Sequence, residues 1–240
     1  MSDDESGDDS SVCQRSDHLL ARAATQGDLD AFEVLWSRHD GQLRAVSRLL
    51  SPAPGTAADA VTEVRTGLAL RMRGGWNPDG PFRLIAYRAL AQALGLPGAS
   101  HGQATSITER AYDALPPGDQ ELLWYRDVEQ VGFRALARWC GTGAPQVFWE
   151  IDTARAHFRA LWLTAKIEQL ESSPCAHQLT CLLRGELRVR TRHELGCTMC
   201  RLVHEEAPRL HTFIGPVLLH STFGPAAAHL LTSEHVAVQT

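Results

Sequence analysis

The stretch Ala114-Leu115-Pro116-Pro117-Gly118-Asp119-Gln120-Glu121-Leu122-Leu123-Trp124-Tyr125-Arg126-Asp127 decides the fold, together with the segment C-terminal to it: Phe133-Arg134-Ala135-Leu136-Ala137-Arg138-Trp139, then Cys140-Gly141-Thr142-Gly143, then a long run to Trp162. The paired prolines stop one helix and pre-set the backbone for the first turn of the next. Leu122/Leu123 and Trp124/Tyr125 can share one buried face only on a helix, which is predicted over Gln120 to Asp127. A break at Gly132, a short helix, a glycine-bearing turn and a longer second helix make a helix-turn-helix layout. In that second helix Val147, Ile151, Ala154, Phe158 and Leu161 recur at helical spacing and are predicted to point inward.

The same stretch resembles the C-terminal region of extracytoplasmic-function sigma factors, the bacterial subunits that direct RNA polymerase to promoters. Ala114-Leu115-Pro116-Pro117, Leu122-Leu123, Arg126, Glu129, Phe133, Leu136-Ala137, Gly141, Val147, Ile151 and Ala154-Arg155 carry the resemblance. It implies that the second helix faces promoter DNA, and there the chemistry departs. A helix that reads DNA presents cationic or amide side chains to base edges and phosphates. Here the outward positions are Phe148, Trp149, Glu150 and Asp152, and the carboxylates repel a phosphate backbone. Gln146, Arg155 and Arg159 are the remaining candidate DNA contacts. Phe148 and Trp149 suit a protein interface, or equally a neighbouring domain of the same chain.

Working outward, the segment from Asp17 to Leu94 has helical periodicity. Asp28 is placed to cap a helix whose apolar face is Ala31-Phe32 and Leu35-Trp36. Further helices are predicted over Gly41 to Leu50, Ala57 to Met72 and Phe82 to Leu94, separated by Ser51-Pro52-Ala53-Pro54-Gly55 and by the loop Gly74 to Pro81. This segment resembles the N-terminal region of the same family, through Asp28, Ala31-Phe32, Leu35, Arg38-His39, Leu43, Arg48-Leu49-Leu50, Asp59, Val61, Glu63, Pro81-Phe82-Arg83 and Tyr87-Arg88. The resemblance implies that Asp59 and Glu63 meet the polymerase core and that Arg83 and Arg88 touch promoter DNA. The family's basic run after the fourth helix is replaced by Ala89-Leu90-Ala91-Gln92-Ala93-Leu94-Gly95-Leu96-Pro97, which removes the phosphate contacts that counterion release rewards.

A third stretch carries metal chemistry. His193, Cys197 and Cys200 stand at i, i+4 and i+7, on one face of a helix or its last turn. Thiolates with an imidazole in tetrahedral array suit Zn²⁺, and a reducing cytoplasm argues against disulfides. Cys175, His177 and Cys181 compete for the fourth position. If Gly185 turns the chain into a helical hairpin, His193 and Cys197 lie about 12 and 18 Å from the turn, and Cys175 at about 15 Å matches them better than Cys181 at about 6 Å. The stretch looks like the zinc-binding anti-sigma domain, whose His-x-x-x-Cys-x-x-Cys comes after a turn here written Leu183-Arg184-Gly185-Glu186-Leu187.

Composition bounds the rest. The chain has 240 residues, a hydrophobic fraction of 44%, 21% charged residues and a net charge of −5, which does not favour non-specific binding to nucleic acid. Lys166 is the only lysine against many arginines, the mark of a high-GC bacterial gene. Residues 1–16 are acidic and small, and are expected to be a disordered tail. The expected order is then a helical domain over 17–97, a linker over 98–106, the helix-turn-helix domain over 107–168, the zinc hairpin over 169–206, and a C-terminal extension over 207–240 with one or two short helices that cover a sister domain. No apolar run can span a membrane and no leader opens the chain, so a cytoplasmic protein is expected. No phosphate-cradling loop or nucleophile motif is present, and no enzyme is expected. The sequence therefore predicts an all-α regulator: two sigma-like helical domains and a zinc hairpin, with polymerase, promoter DNA, and a sigma or anti-sigma protein as candidate partners. The alternative is an interaction module of the same fold that does not read DNA.

Overall fold

The computed structural model describes residues 16–51, 53–78, 80–96, 106–170, 173–186, 192–225 and 227–229, and these form helices and connections with no strand among them. The expected tail except Ser16, and all of the expected linker except Ser106, lie outside the described residues. The fold is all-α, as the periodicity predicts.

Four helices make the N-terminal unit: α1 (Asp17–Thr25), α2 (Leu29–Leu50), α3 (Pro54–Arg73) and α4 (Phe82–Ala93). Ser16 caps α1 and Asp28 caps α2, each side-chain oxygen accepting an amide of the first turn. The break expected at Gly41 is absent, because α2 runs through it. One interior glycine costs only about 1 kcal/mol, and burial of Leu35, Leu43 and Val46 outweighs that. Pro54 occupies the first turn of α3, where its missing N–H is harmless.

The second unit comprises α5 (Ile107–Asp113), α6 (Pro117–Leu123), a π-helical turn (Trp124–Val128), α7 (Phe133–Cys140) and α8 (Ala144–Glu168). Ser106 and Glu109 close a reciprocal capping box on α5. The π turn adds a residue to the helical register, and with it both Trp124 and Tyr125 are fully buried. Gly141, at φ 65°, ends α7 in the left-handed conformation and turns the chain into α8. Val147, Ile151, Ala154 and Phe158 form the inward stripe of α8; the stripe continues through Trp162 and Leu163 rather than Leu161, which is half-buried.

The hairpin is α9 (Pro174–Leu183), α10 (Arg192–Gly196) and α11 (Thr198–Glu206); a 3₁₀ segment (Ala207–Phe213) and α12 (Ile214–Phe223) come after it. Gly215 and Pro216 fall in the first turn of α12, where a proline breaks no helical hydrogen bond. Helix α9 packs on α8, while α12 packs on α4, α5 and the π turn. Gly215 faces Val128 of the π turn, whose Cγ1 lies 3.4 Å from where a Cβ would stand. The C-terminal extension thus covers both helical units at once, and the apolar core is continuous from Leu20 to Ala228.

Candidate functional site

The hairpin brings four donors together. Cys175, on the first turn of α9, lies with its Sγ 3.5 Å from His193 Nε2 and 3.7 Å from Cys197 Sγ; Cys200 Sγ lies 3.4 Å from His193 Nε2. The four ligand atoms all lie within 4.8 Å of one another. A tetrahedral ion with metal–sulfur bonds near 2.3 Å and a metal–nitrogen bond near 2.0 Å requires S···S of about 3.8 Å and S···N of about 3.5 Å. The spacing fits such an ion and is far too long for a disulfide. Cys175, His193, Cys197 and Cys200 can therefore hold a metal ion, whereas His177 and Cys181 stand apart with His177 Nε2 3.8 Å from Cys181 Sγ.

The local backbone differs from the single helix face expected. Helix α10 ends at Gly196 and Cys197 is extended, at φ −112° and ψ 109°, so it becomes the residue before α11. Its sulfur then accepts the amides of Cys200 and Met199, and the Cys200 amide is the main cause of a lowered Cys197 pKa. Burial pushes the Cys200 thiol up to about 12, with the two neighbouring sulfurs adding to it. The chain alone stabilises one thiolate, and a cation is the natural counter-charge for the others. Behind the cluster the Glu194 carboxylate is buried, with His204 Nδ1 3.5 Å from its Oε1.

A second polar cluster forms the seam between the helical units. Asp17, the first residue of α1, is buried. Its Oδ1 accepts from Arg38 Nη1 at 2.6 Å, its Oδ2 lies 2.5 Å from His39 Nε2, and the Tyr125 hydroxyl of the second unit donates to Oδ2 as well. His39 Nδ1 faces Arg83 Nε at 3.0 Å and Nη2 at 2.9 Å. A guanidinium can only donate, so Nδ1 is the acceptor and the imidazole proton sits on Nε2, directed at Asp17. Burial is also the largest influence keeping the His39 pKa low, and the Arg83 and Arg38 charges add to it; the ring is neutral. Arg83 also donates to Glu129, whose other oxygen accepts from Trp124 Nε1 at 2.6 Å. Glu121 closes the seam by accepting the Asp17 and His18 amides, each at 2.9 Å, and so caps α1 from the opposite unit.

Rings and glycine complete the seam. His39 stacks on Tyr125 with centroids 5.9 Å apart, and the Arg38 guanidinium lies 5.6 Å from the centre of the Trp139 ring. A Cβ on Gly80, at φ 120°, would come within 2.8 Å of Gln120 Oε1, and Gln120 is itself fixed by hydrogen bonds to the Asp113 and Leu115 carbonyls.

The other candidate residues lie outside these two clusters or are drawn into them. Arg83 is buried in the seam rather than open to a phosphate, because His39 and Glu129 take its donors. Arg155 is turned onto Asp127, with Nε donating at 3.0 Å and a second donor to the other oxygen. Arg159 is half-buried close to His211, and Arg88 is half-buried near Tyr112 and Asp113. Gln146 is exposed and donates to Glu150 at 2.8 Å. Asp59 and Glu63 are exposed one turn apart on α3. Phe148 and Trp149 are 59% and 63% exposed, so α8 presents them outward and no other part of the described chain buries them. Asp17, Glu121 and Tyr125 are site residues that no sequence pattern singles out. Their partners lie 21 to 108 residues away, and of the three only Tyr125 falls on a face that local spacing marks as buried.

No helix among the described residues is long and apolar enough to cross a membrane. Comparison with protein-family models, curated proteins and solved structures finds no match to this chain.

Proposed function

We propose that this chain is a sigma-factor-like transcription regulator that works through protein contacts and does not read promoter DNA. One observation carries the reading: Arg83 and Arg155, the cations best placed to grip nucleic acid, are engaged by carboxylates of the same chain, while α8 turns Phe148 and Trp149 to solvent. Loss of cationic contacts lowers phosphate affinity steeply, and exposed aromatic side chains are typical of interface cores. Asp59 and Glu63, exposed on α3, are the residues assigned to the polymerase core. The resemblance in sequence to extracytoplasmic-function sigma factors supplies the partner class: polymerase, or a sigma or anti-sigma protein, in the bacterial cytoplasm.

The hairpin, on this reading, holds Zn²⁺ through Cys175, His193, Cys197 and Cys200. Four protein ligands fill a tetrahedral shell, so the ion is structural and has no open position for a reacting water. The ion ties α9 to α10 and α11, and with them the segment leading to α12, which spans both helical units. Zinc thereby stabilises the closed arrangement of the two units.

The deciding experiment pairs capture with initiation. Tagged full-length protein is expected to retain core polymerase or a sigma or anti-sigma protein, and Asp59→Lys with Glu63→Lys is expected to reduce polymerase capture. Run-off transcription with core polymerase is expected to give no promoter-specific product. A defined transcript initiated by this chain would overturn the reading.

A further inference from the structure

A groove opens where α6, the end of α7 and the first turns of α8 meet the start of α1. It has a volume of about 410 Å³, and Leu122, Cys140 and Trp149 line it with Asp119, Glu150 and Ser16. No lysine or arginine contributes to its lining among the described residues. Burial pushes the Cys140 thiol up to about 12, so this sulfur is part of an apolar floor and not a nucleophile. The indole of Trp149 is 63% exposed beside it.

The rim is acidic. Asp119 and Glu150 face the groove, and Asp152 is exposed on the Trp149 side of α8, one turn further along. Asp119 has His157 beside it, with Nδ1 at 2.7 Å, and Glu150 accepts from the neutral amide of Gln146. Ser16 marks the lip of the groove, and the sequence leading into it carries Asp3, Asp4, Glu5, Asp8 and Asp9 against Arg15. Phosphates would be repelled there, while a cation gains from the carboxylates and from the open indole face.

We propose that this groove binds a cationic polypeptide segment carrying an apolar side chain beside its arginines or lysines, which rests on the protein-contact reading and gives its partner a chemistry. The apolar side chain fills the floor between Leu122 and Trp149, and the cations reach Asp119, Glu150 and Asp152. Specificity comes from both requirements together, since charge alone steers encounter and an aromatic anchor holds the complex.

Fluorescence anisotropy with full-length protein tests this, using as probe a labelled amphipathic helical peptide with leucine on one face and arginine on the other. The peptide is expected to bind, and Trp149→Ala and Glu150→Lys each weaken it by about tenfold. Asp30→Lys makes an equivalent charge reversal on the first turn of α2, outside the groove, and is expected to shift binding by less than about twofold. Alanine in place of the peptide's leucines reduces binding, and glutamate in place of its arginines abolishes it. Equal losses in Asp30→Lys and Glu150→Lys, an unaltered Trp149→Ala, or binding of the glutamate peptide would each overturn the assignment. If wild-type protein captures polymerase or a sigma partner and Trp149→Ala does so equally well, the groove is wrong and the protein-contact reading stands. Promoter-specific initiation sinks that reading whichever way the peptide behaves.

Discussion

The seam and the hairpin are both polar clusters inside a helical protein, and they resolve the cost of burial in opposite ways. In the seam, Asp17, Arg38, His39, Arg83 and Glu129 are all buried or nearly so, and each charge meets an opposite charge or a fixed dipole from the same chain. In the hairpin, three sulfurs and an imidazole converge and no lysine or arginine is among the converging groups. A buried network that is internally satisfied needs nothing from solution, whereas a convergence of soft donors needs an ion. The seam is thus a property of the folded chain alone, whereas the hairpin has the donor set to couple the chain to metal supply.

The largest expected effect breaks the hairpin. One equivalent of zinc per chain is expected by elemental analysis of purified protein, and Cys197→Ser or a strong chelator is expected to remove it. Structural zinc contributes on the order of 10 kcal/mol to the folding of small sites, so α10 and α11 should lose helical circular dichroism without metal. Helix content unchanged by complete chelation would show that the hairpin is as self-sufficient as the seam and would erase the contrast.

Next in size is the seam itself. Asp17→Ala leaves His39 and Tyr125 without their acceptor and removes the carboxylate that Arg38 contacts, at a cost of about 3 to 5 kcal/mol in urea denaturation. Replacing Asp17, Arg38, Arg83 and Glu129 together by apolar residues of similar volume should cost less than that single change, because no charged group of the network is then left facing a vacated partner. A quadruple variant less stable than Asp17→Ala would mean that the network contributes more than mutual compensation.

How far the sequence reveals these two regions depends on the range of the interactions. The hairpin donors are visible because the His-x-x-x-Cys-x-x-Cys spacing groups three of them and the distance from Gly185 favours Cys175 as the fourth, although the helix that carries His193 begins only at Arg192. The break at Cys197 is not visible, since Gly196 alone marks it. In the helix-turn-helix, Gly141 and the step pattern of Val147, Ile151, Ala154 and Phe158 suffice to place both helices. Arg83 and Arg155 are legible as cations but not as inward-facing ones, because their partners Glu129 and Asp127 sit 46 and 28 residues away. Gly41 misleads for a different reason: a local penalty of about 1 kcal/mol is outweighed by tertiary burial.

A smaller effect separates the two carboxylates at the start of α1. Burial, then the Asp17 charge, pushes Glu121 up to about 8 from 4.5, against the two amides it accepts. A raised folded pKa contributes stability that is complete below the unfolded value and is lost as pH rises through the folded one. Asp17 runs the other way: burial opposes its charge, but His39, Arg38 and Tyr125 hold it below the usual carboxylate range, so its contribution is present above 3.8 and lost only in strong acid. Stability is therefore expected to fall between about pH 5 and pH 8, by on the order of 2 kcal/mol, with Glu121→Gln flattening the decline. Thermal midpoints measured across that range would expose the error if wild type and variant ran parallel.

The smallest expected change is on the outer face of α8, and its smallness is the point. Trp149 is 63% exposed and Phe148 59%, so truncating Trp149 removes little that folding buries. Substitutions at such positions usually alter stability by less than about 0.5 kcal/mol. Trp149→Ala should therefore leave the denaturation midpoint almost unchanged while reducing partner capture, which is the reverse of Asp17→Ala, a change that alters stability first. If Trp149→Ala instead destabilised the protein as strongly as a seam variant, the indole would be part of the fold's own packing. The distinction between a surface kept for a partner and an interior closed on itself would then fail at the residue where it is sharpest.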